Sequence, residues 1–184
     1  MPLPLGHAAI GLTTISLCSR NNYAYNFLKI IIFVTTLSNL PDIDVVIGLI
    51  IKANGNVFHR GPTHSMLFAL LMGYLASNAY KLWSYIPKLR FRICFLIIVS
   101  HIVADYLFTN SPISFFWPFE VNFSSGYSGW FDVMNSILLK TYQDAVIIIG
   151  CMMIFLLNRF ITFLRHHSIQ FLRLNQSYGI QKKA

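Results

Sequence analysis

The stretch FRICFLIIVSHIVADYLF, residues 91–108, says more about the fold than any other part of the sequence. Its apolar side chains approach the roughly 20 consecutive residues that a membrane-spanning helix needs. The same stretch carries His101 and Asp105, which share one face of a helix because they are four residues apart. Ionisable side chains inside an apolar span are costly and usually mark a functional site. The alternative is a structural pair in which the two side chains satisfy each other by a hydrogen bond.

The composition of the whole chain also indicates a membrane protein. Of its 184 residues, 55% are hydrophobic and only 11% are charged, and the mean hydropathy is +0.59. Soluble domains contain about 45–50% apolar and about 25% charged residues. The net charge of +8 does not indicate a nucleic-acid partner, because the basic residues lie at the ends of apolar stretches and form no single patch.

Two further long apolar stretches, residues 65–83 and 145–164, are also predicted to span the membrane. Three shorter ones are more typical of buried or re-entrant helices, and they cover residues 8–18, 27–40 and 43–51. Pro41 limits the middle one, since the residue before a proline is pushed out of helical geometry. We therefore expect a single all-α domain over residues 1–184, folded as a polytopic membrane helical bundle.

The distribution of lysine and arginine predicts how the bundle is oriented. Basic residues surround the link between residues 65–83 and 91–108, and they recur in the tail, residues 165–184. By the positive-inside rule both regions are cytoplasmic. The prediction is about five crossings, with the N-terminus outside and the C-terminus inside. All six acidic residues and four of the six histidines then lie at the outer side.

The stretch NLPDID, residues 39–44, places two carboxylates two residues apart behind a proline. An aspartate at this position can cap the helix that follows, because its side chain accepts hydrogen bonds from free backbone N–H groups. One aspartate fills that role, so either Asp42 or Asp44 is left without a structural explanation. The remaining carboxylate is therefore a candidate ligand.

The stretch FHRGPTHS, residues 58–65, contains two histidines and an arginine around a Gly-Pro turn. Thr63 is expected to cap the helix that begins near His64. His59 and His64 would then meet at the mouth of that helix, with Arg60 between them suited to bidentate contact with a phosphate or carboxylate. The alternative is an ordinary polar loop at the membrane interface.

Together these stretches supply seven candidate metal ligands on one side of the membrane: His7, Asp42, Asp44, His59, His64, His101 and Asp105. Imidazole and carboxylate suit Zn²⁺ and also Mn²⁺. Seven ligands exceed the three or four of one catalytic zinc and fit two ions, with an aspartate bridging between them. Taken alone, His7 is equally well explained as a buried histidine that is satisfied within the core.

The order of these motifs resembles the LexA-regulated, inner-membrane metal-dependent hydrolase family, the YdjM-like proteins. The motifs are Gly6 with His7, residues 39–44, residues 59–65, residues 100–105, and Pro118 with Phe119. The match covers about residues 1–120, and the PDID and HRGPTHS motifs are the specific ones. The resemblance implies a multi-pass protein of the inner membrane with its site-bearing core in residues 1–120.

That family is distantly similar to zinc phospholipase C and single-strand nucleases, which hydrolyse phosphoesters at a multi-zinc site. The resemblance implies metal ligands at His7, one of Asp42 and Asp44, one or both of His59 and His64, and His101 with Asp105. The chain departs from those soluble enzymes because no histidine follows Asp105 before His166. A third ion is therefore not expected.

The outer loop, residues 109–143, is rich in aromatic side chains and turn residues, as in SPISFFWPFEV and GYSGWFDV. Such a loop is typical of an aromatic belt at the membrane interface. It can equally form a lid over the metal site that touches lipid, and the two roles are compatible.

The leading functional prediction is a metal-dependent hydrolase of a phosphoester, either a small molecule or a lipid head group, at the outer face of the membrane. Arg60 is assigned to the substrate, because guanidinium has no lone pair for a metal. The alternative is a divalent-cation transporter or a non-catalytic metal-binding membrane protein. A transporter needs polar groups near the midplane, and the inner halves of the long stretches offer only Ser, Asn and Tyr. The expected partners are the lipid bilayer and the substrate.

Overall fold

The computed structural model describes residues 4–18, 27–55, 57–108, 112–119, 121, 123 and 140–181, with the side chains of the last range described over 144–165. Six α-helices lie in these ranges: α1 (Pro4–Cys18), α2 (Phe27–Ser38), α3 (Ile43–Lys52), α4 (Met66–Asn78), α5 (Phe91–Phe108) and α6 (Lys140–Gln181). Short 3₁₀ turns lie at Leu40–Asp42, Pro62–His64 and Ala79–Lys81. The described residues otherwise contain one isolated bridge, between Ile113 and Phe123, so the all-α prediction is confirmed.

Two helices within the described residues are long and apolar enough to cross a membrane, namely Phe91–Phe108 and Asp144–Arg165. A third span would need α2 and Leu40–Lys52 together, and that pair is bent by 50°. The last helix is longer than predicted, because it continues through most of the predicted tail to Gln181. The predicted five crossings and their orientation stay predictions.

The helix predicted over residues 65–83 is shorter in the structure, where α4 ends at Asn78 after 13 residues. Polar side chains at its end compete for the backbone carbonyls. Ser77 Oγ and Asn78 Nδ2 both donate to the carbonyl of Tyr74, at 2.8 and 2.9 Å. The chain then tightens into the turn Ala79–Lys81, so the predicted span was too long by about one turn.

The bend between α2 and α3 follows from the sequence Asn-Leu-Pro. Pro41 has no N–H group and cannot continue the helical hydrogen-bond ladder. Asn39 covers the end of α2 by donating from its side-chain amide to the carbonyl of Thr35 at 2.8 Å. Asp42 is the N-cap residue of α3 but makes no capping hydrogen bond with its side chain. The aspartates of this stretch are therefore available for another role.

The core of the bundle is built around α5, which contacts α1, α2 and α4. Its residues Cys94, Ile97, Ile98 and Ile102 are completely buried. α6 packs on α1, where Asn158 Nδ2 donates to the carbonyl of Ser16 at 3.3 Å. This arrangement surrounds the end of α5 that carries His101 and Asp105.

α1 and α2 approach each other closely at Gly11. A Cβ atom at this position would lie 2.8 Å from the Cβ of Ser38, which is closer than real side chains pack. Ser38 is the last residue of α2 and is itself fully buried. The absence of a side chain at position 11 thus fixes the place where α2 ends.

Candidate metal centre

The structure brings all seven candidate ligands into one cluster, although they come from four separate parts of the chain. His7 lies on α1, Asp42 and Asp44 lie at the α2–α3 bend, His59 and His64 lie on the following loop, and His101 and Asp105 lie on α5. His7, His64 and Asp105 have no exposed surface, and the side chain of Asp42 is the most open at 17%. A cluster of this charge inside an apolar bundle requires either a bound ion or complete hydrogen bonding.

Four of the seven residues, Asp42, His64, His101 and Asp105, form what we call the inner group. From His64 Nε2, the distances are 3.3 Å to His101 Nε2, 3.3 Å to Asp105 Oδ2 and 3.6 Å to Asp42 Oδ1. His101 Nε2 lies 3.4 Å from Asp42 Oδ1. A tetrahedron with edges of this length has its centre ~2.1 Å from each corner, which is the usual length of zinc–nitrogen and zinc–oxygen bonds. Four of the six edges of the inner group therefore fit a single ion, and all four ligand atoms lie within 4.8 Å of one another.

His101 presents an unprotonated nitrogen to the inner group. Its Nδ1–H donates to the backbone carbonyl of Ser38 at 2.7 Å, because a carbonyl can only accept. The ring proton is thereby fixed on Nδ1, and the lone pair of Nε2 points towards His64 and Asp42. Histidines that bind metals usually have their second nitrogen held in this way.

His64 is oriented by Asp44. His64 Nδ1 lies 3.2 Å from Asp44 Oδ2 and donates to it, which directs Nε2 into the inner group. Burial lowers the pKa of His64, but hydrogen bonding to Asp105, Asp42 and Asp44 outweighs burial and raises that pKa to about 10. The three carboxylates thus favour a positive charge at this position, whether it is carried by a proton or by a metal ion.

Asp44 is surrounded by hydrogen-bond donors. In addition to His64, it accepts from the backbone N–H of Arg60 at 3.1 Å, from the Thr63 hydroxyl, and from His59 Nδ1 at 3.1 Å. We call Asp44, His59, Thr63 and the backbone N–H of Arg60 the Asp44 group. Asp44, His59 and His64 also lie close enough together to hold a cation. The donors already occupy both carboxylate oxygens, however, so this group is built to orient side chains.

The predicted capping of α4 by Thr63 is wrong. Ser65 is the N-cap residue, and its hydroxyl accepts from the backbone N–H of Phe68 at 3.1 Å. Thr63 lies in the preceding 3₁₀ turn, where its hydroxyl donates to Asp44. Because of this turn, α4 begins at Met66, two residues after the predicted start at His64. The hydrogen bond from Thr63 to Asp44 links the loop to α3.

His59 and His7 lie beside the inner group. His59 donates through Nδ1 to Asp44, and among the described residues none offers a hydrogen-bond partner to its Nε2. The ring of His7 stacks on His101 with 3.7 Å between centroids, and its Nε2 lies 3.4 Å from Asp105 Oδ1. The other ring nitrogen of His7, Nδ1, has no hydrogen-bond partner within the described ranges.

Arg60 is held in a strained backbone conformation at the edge of the centre. Its φ of +66° lies in the left-handed region, which is uncommon for a residue with a side chain. Hydrogen bonds keep it there, from its N–H to Asp44 and from the N–H of Ser114 to its carbonyl. The side chain is 8% exposed, and its Nε lies 3.6 Å from Asp105 Oδ2. Strain of this kind is concentrated at functional sites.

Most of the chain matches the model of one protein family. Residues 1–170 match the family model described as YdjM inner membrane protein. The chain belongs to this family. The predicted localisation in the inner membrane is thereby confirmed, and the match extends past the motifs into α6. No curated protein matches the chain, and no solved structure does.

In this YdjM-family chain, two features of the centre were missed by sequence reasoning. The carbonyl of Ser38 orients His101, and Asp44 orients His64. A signal for the first exists, because the last four carbonyls of a helix have no partner within it and Ser38 ends α2 directly before NLPDID. The role of Asp44 has no such signal, since Asp42 has the same side chain two residues away.

The predicted aromatic loop, residues 109–143, is described only at residues 112–119, 121 and 123, and its other residues lie outside the described ranges. The described part touches the centre. The N–H of Ser114 donates to the carbonyl of Arg60 at 3.3 Å, and the N–H of Met66 donates to the carbonyl of Phe115 at 2.9 Å. The two hydrogen bonds lie on either side of His64 in the sequence.

Proposed function

We propose that this inner-membrane protein is a metal-dependent hydrolase of a phosphoester, with a divalent ion bound by Asp42, His64, His101 and Asp105. The observation that carries the proposal is the 3.3–3.6 Å spacing of the ligand atoms, together with the engagement of both histidines through their other nitrogens. Two nitrogen and two oxygen ligands suit Zn²⁺ first and Mn²⁺ second. The distant similarity of the family to zinc phospholipase C, implied by the motif resemblance, favours hydrolysis as the reaction.

One ion is better supported than the two that the sequence predicts. A second ion would need Asp44 and His59 as ligands, and Asp44 already accepts hydrogen bonds at both oxygens. We infer that the Asp44 group orients the ligands and substrate of a single-ion centre. The number of ions per chain in the purified protein tests this directly.

The open side of the inner group is at Asp42, the ligand with the most exposed side chain. A divalent ion at the centre supplies Lewis acidity, lowering the pKa of water towards ~7 and drawing charge from a phosphoryl oxygen. Zinc can expand from four to five ligands, so four protein ligands do not exclude catalysis. Water and substrate would reach the group from the Asp42 side.

The neighbouring residues have the properties that hydrolysis requires. In the reaction, the oxygen of one water bonds to phosphorus, the ester P–O bond breaks, and a proton from the water ends on the leaving alcohol. His59 can carry that proton on Nε2, because its Nδ1–H is fixed on Asp44. Arg60 can donate to the phosphoryl oxygens, and its place beside Asp105 puts this donor at the edge of the centre.

The direct experiment is metal analysis and hydrolysis by the purified full-length protein in lipid nanodiscs. We expect about one zinc or manganese ion per chain and metal-dependent hydrolysis of bis(p-nitrophenyl) phosphate. Removal of the metal by a chelator should stop the reaction, and addition of metal should restore it. A fully loaded protein that hydrolyses no phosphoester would contradict the proposal.

A second candidate function is divalent-cation transport, and one observation favours it. The pair α2 and Leu40–Lys52 is bent by 50° beside Asp42, as in the discontinuous helices that form ion sites in transporters. Against it, the buried side chains of α5 from Ile93 to Ile98 are isoleucine and cysteine, which offer no path of oxygen ligands. Metal flux into liposomes without ester hydrolysis would decide for the transporter.

The finer topology belongs to the same proposal. We infer five crossings, with the metal centre at the outer side, from the positions of the basic residues. Reporter fusions after Leu89 and after α6 should report the cytoplasm, and a fusion near Gly126 should report the outside. A cytoplasmic signal at Gly126 would show that the protein has the opposite orientation in the membrane.

A further inference from the structure

The described aromatic residues near the centre form a structure with two different sides. Ile113 and Phe123 pair through two backbone hydrogen bonds of 2.8 and 3.0 Å. Phe115 packs inwards, with its ring 5.5 Å from that of Tyr106 on α5 and 5.9 Å from that of Phe123. Five large apolar side chains of the same described residues are exposed: Phe116 at 55%, Trp117 at 42%, Phe119 at 72%, Val121 at 48% and Phe123 at 38%. We call residues 112–119, 121 and 123 the aromatic rim.

The aromatic rim is tied to the loop that carries the metal ligands. The hydrogen bonds from Ser114 to Arg60 and from Met66 to Phe115 attach it on both sides of His64. Its exposed rings are therefore held at the edge of the centre by backbone contacts.

The depth of the centre in α5 places it near the surface of a bilayer. The 18 residues of α5 span about 27 Å, close to the ~30 Å thickness of the hydrocarbon layer. Asp105 lies three residues from the end of this helix and His101 seven, which correspond to about 4.5 and 10 Å. Asp105 thus lies just below the level at which lipid head groups begin, and His101 lies about one turn deeper. Aromatic side chains beyond that end are at the depth they prefer.

Exposed apolar side chains follow Asp42, the most exposed ligand of the inner group, along α3 and precede His59 in the sequence. Next to Asp42, Ile43 and Val46 of α3 are 43% and 53% exposed, and Phe58 before the histidine loop is 38% exposed. A small polar substrate gains no binding free energy from these apolar side chains. An acyl chain can bind there at little cost, because it moves from the apolar bilayer onto apolar side chains. Arg60 and the proposed ion supply the positive charge that an anionic phosphate needs.

We propose that the substrate is a phosphate-bearing membrane lipid, which places its phosphoester at the metal centre and its acyl chains against the aromatic rim and α3. This inference rests on the proposed hydrolase function. Water adds to the phosphorus, one P–O ester bond of the lipid breaks, and the proton passes to the oxygen of the alcohol that leaves. The phosphate keeps its contact with Arg60 while the acyl chains stay in the bilayer.

The experiment compares one lipid with its own head group. The full-length, metal-loaded protein in vesicles receives phosphatidylglycerol or the water-soluble glycerophosphoglycerol, which has the same phosphodiester without acyl chains. The test variant is Phe116→Ser with Phe119→Ser. The matched control is Leu82→Ser with Trp83→Ser, two residues exposed at 92% and 65% at the opposite end of α5.

We expect the rim variant to lower kcat/KM for phosphatidylglycerol about tenfold or more, because two large apolar contacts are lost. Hydrolysis of glycerophosphoglycerol and the metal content should stay within twofold, and the control variant should change neither substrate. If glycerophosphoglycerol is hydrolysed and the lipid is not, or if both variants affect the lipid equally, the lipid inference is overturned while the hydrolase stands. If loaded protein hydrolyses bis(p-nitrophenyl) phosphate but neither of these substrates, the lipid inference is overturned; if it hydrolyses none of the three, the proposed function fails.

A second measurement does not depend on activity. The variant Trp83→Phe with Trp130→Phe leaves Trp117 as the single tryptophan. Phosphatidylglycerol with brominated acyl chains should reduce the Trp117 emission, and the brominated head-group analogue in water should not. Emission that is unchanged by the brominated lipid would show that acyl chains do not reach the aromatic rim, and the inference would be wrong.

Discussion

The inner group and the Asp44 group use the same two residue types within a few ångströms of each other, yet they are built differently. In the inner group, ligand atoms of Asp42, His64 and His101 face one another at 3.3–3.6 Å. In the Asp44 group, one carboxylate is surrounded by donors at 3.1–3.2 Å from side chains and backbone. The difference teaches that hydrogen bonding, not residue type, separates a candidate metal ligand from the residue proposed to orient it.

The largest effect should come from removing a member of the inner group. We expect His101→Ala or Asp105→Ala to reduce bound metal from about one ion per chain to less than about a tenth, because a four-ligand ion site loses affinity steeply with each ligand. Hydrolysis should fall to the background rate. Metal analysis and a phosphoester assay measure both, with His166→Ala on α6 as the matched histidine control. Full metal content in both variants would mean that the pair is structural.

A substitution of His59 tests the Asp44 group, the other half of this comparison. His59→Gln should keep the metal and slow hydrolysis by about 10²–10⁴-fold, because it removes the proposed proton carrier and no ligand of the inner group. If the variant instead loses one of two bound ions, His59 is a ligand and the two-ion prediction from the sequence is correct.

Arg60 is expected to act on the substrate alone. Arg60→Ala should leave the metal content unchanged and lower kcat/KM by about 10²-fold, the usual effect of losing one donor to a developing negative charge. Arg60→Lys should rescue only part of the activity, since an ammonium group cannot contact two oxygens as a planar guanidinium does. Loss of metal in Arg60→Ala would instead assign Arg60 a structural role beside Asp105.

Asp44 should have a smaller effect on metal binding than any ligand. Asp44→Asn keeps the size of the side chain but weakens the hydrogen bond that orients His64, so the metal affinity should fall by about 10–100-fold. Competition with a chromogenic chelator measures the affinity, and Asp144→Asn on α6 is the matched control. A loss as complete as that of Asp42→Asn would place Asp44 among the ligands.

The smallest expected effect is the pH dependence of metal affinity. In metal-free protein the pKa of His64 is raised to about 10, so an ion must displace a proton at any lower pH. Binding should therefore weaken as the pH falls, by up to about tenfold per unit for one displaced proton. Zinc dissociation constants at pH 6.5, 7.5 and 8.5 test this, and Asp44→Asn should show a shallower slope. A dissociation constant independent of pH would mean that His64 carries no proton before binding.

The sequence predicted the position of α5 and the members of the cluster, for understandable reasons. Residues 91–108 are mostly apolar over a length close to that of a membrane span, and this length predicts the helix although it contains His101 and Asp105. The seven candidates were recognisable because histidine and aspartate are rare in this chain and costly in a membrane. The end of α4 was missed because it depends on two side-chain hydrogen bonds that compete with the helix.

The division of roles inside the cluster was beyond the sequence. Asp42 and Asp44 are equivalent in pattern, and only the donors that gather around Asp44 distinguish them. Thr63 also has the sequence features of a helix cap, but its hydroxyl donates a hydrogen bond to Asp44 instead. Such choices are made by residues far apart in the chain, and local propensity carries no information about them.

The close approach at Gly11 lets α1 influence the candidate metal centre, although glycine itself carries no charged or ligating side chain. Any side chain there must push Ser38 aside, and the carbonyl that holds the His101 ring would move with it. A substitution at position 11 should therefore disturb the candidate metal centre, although glycine carries no reactive group. In a mutational scan, position 11 should behave like a ligand, and its defect should be relieved by a change that gives α2 room.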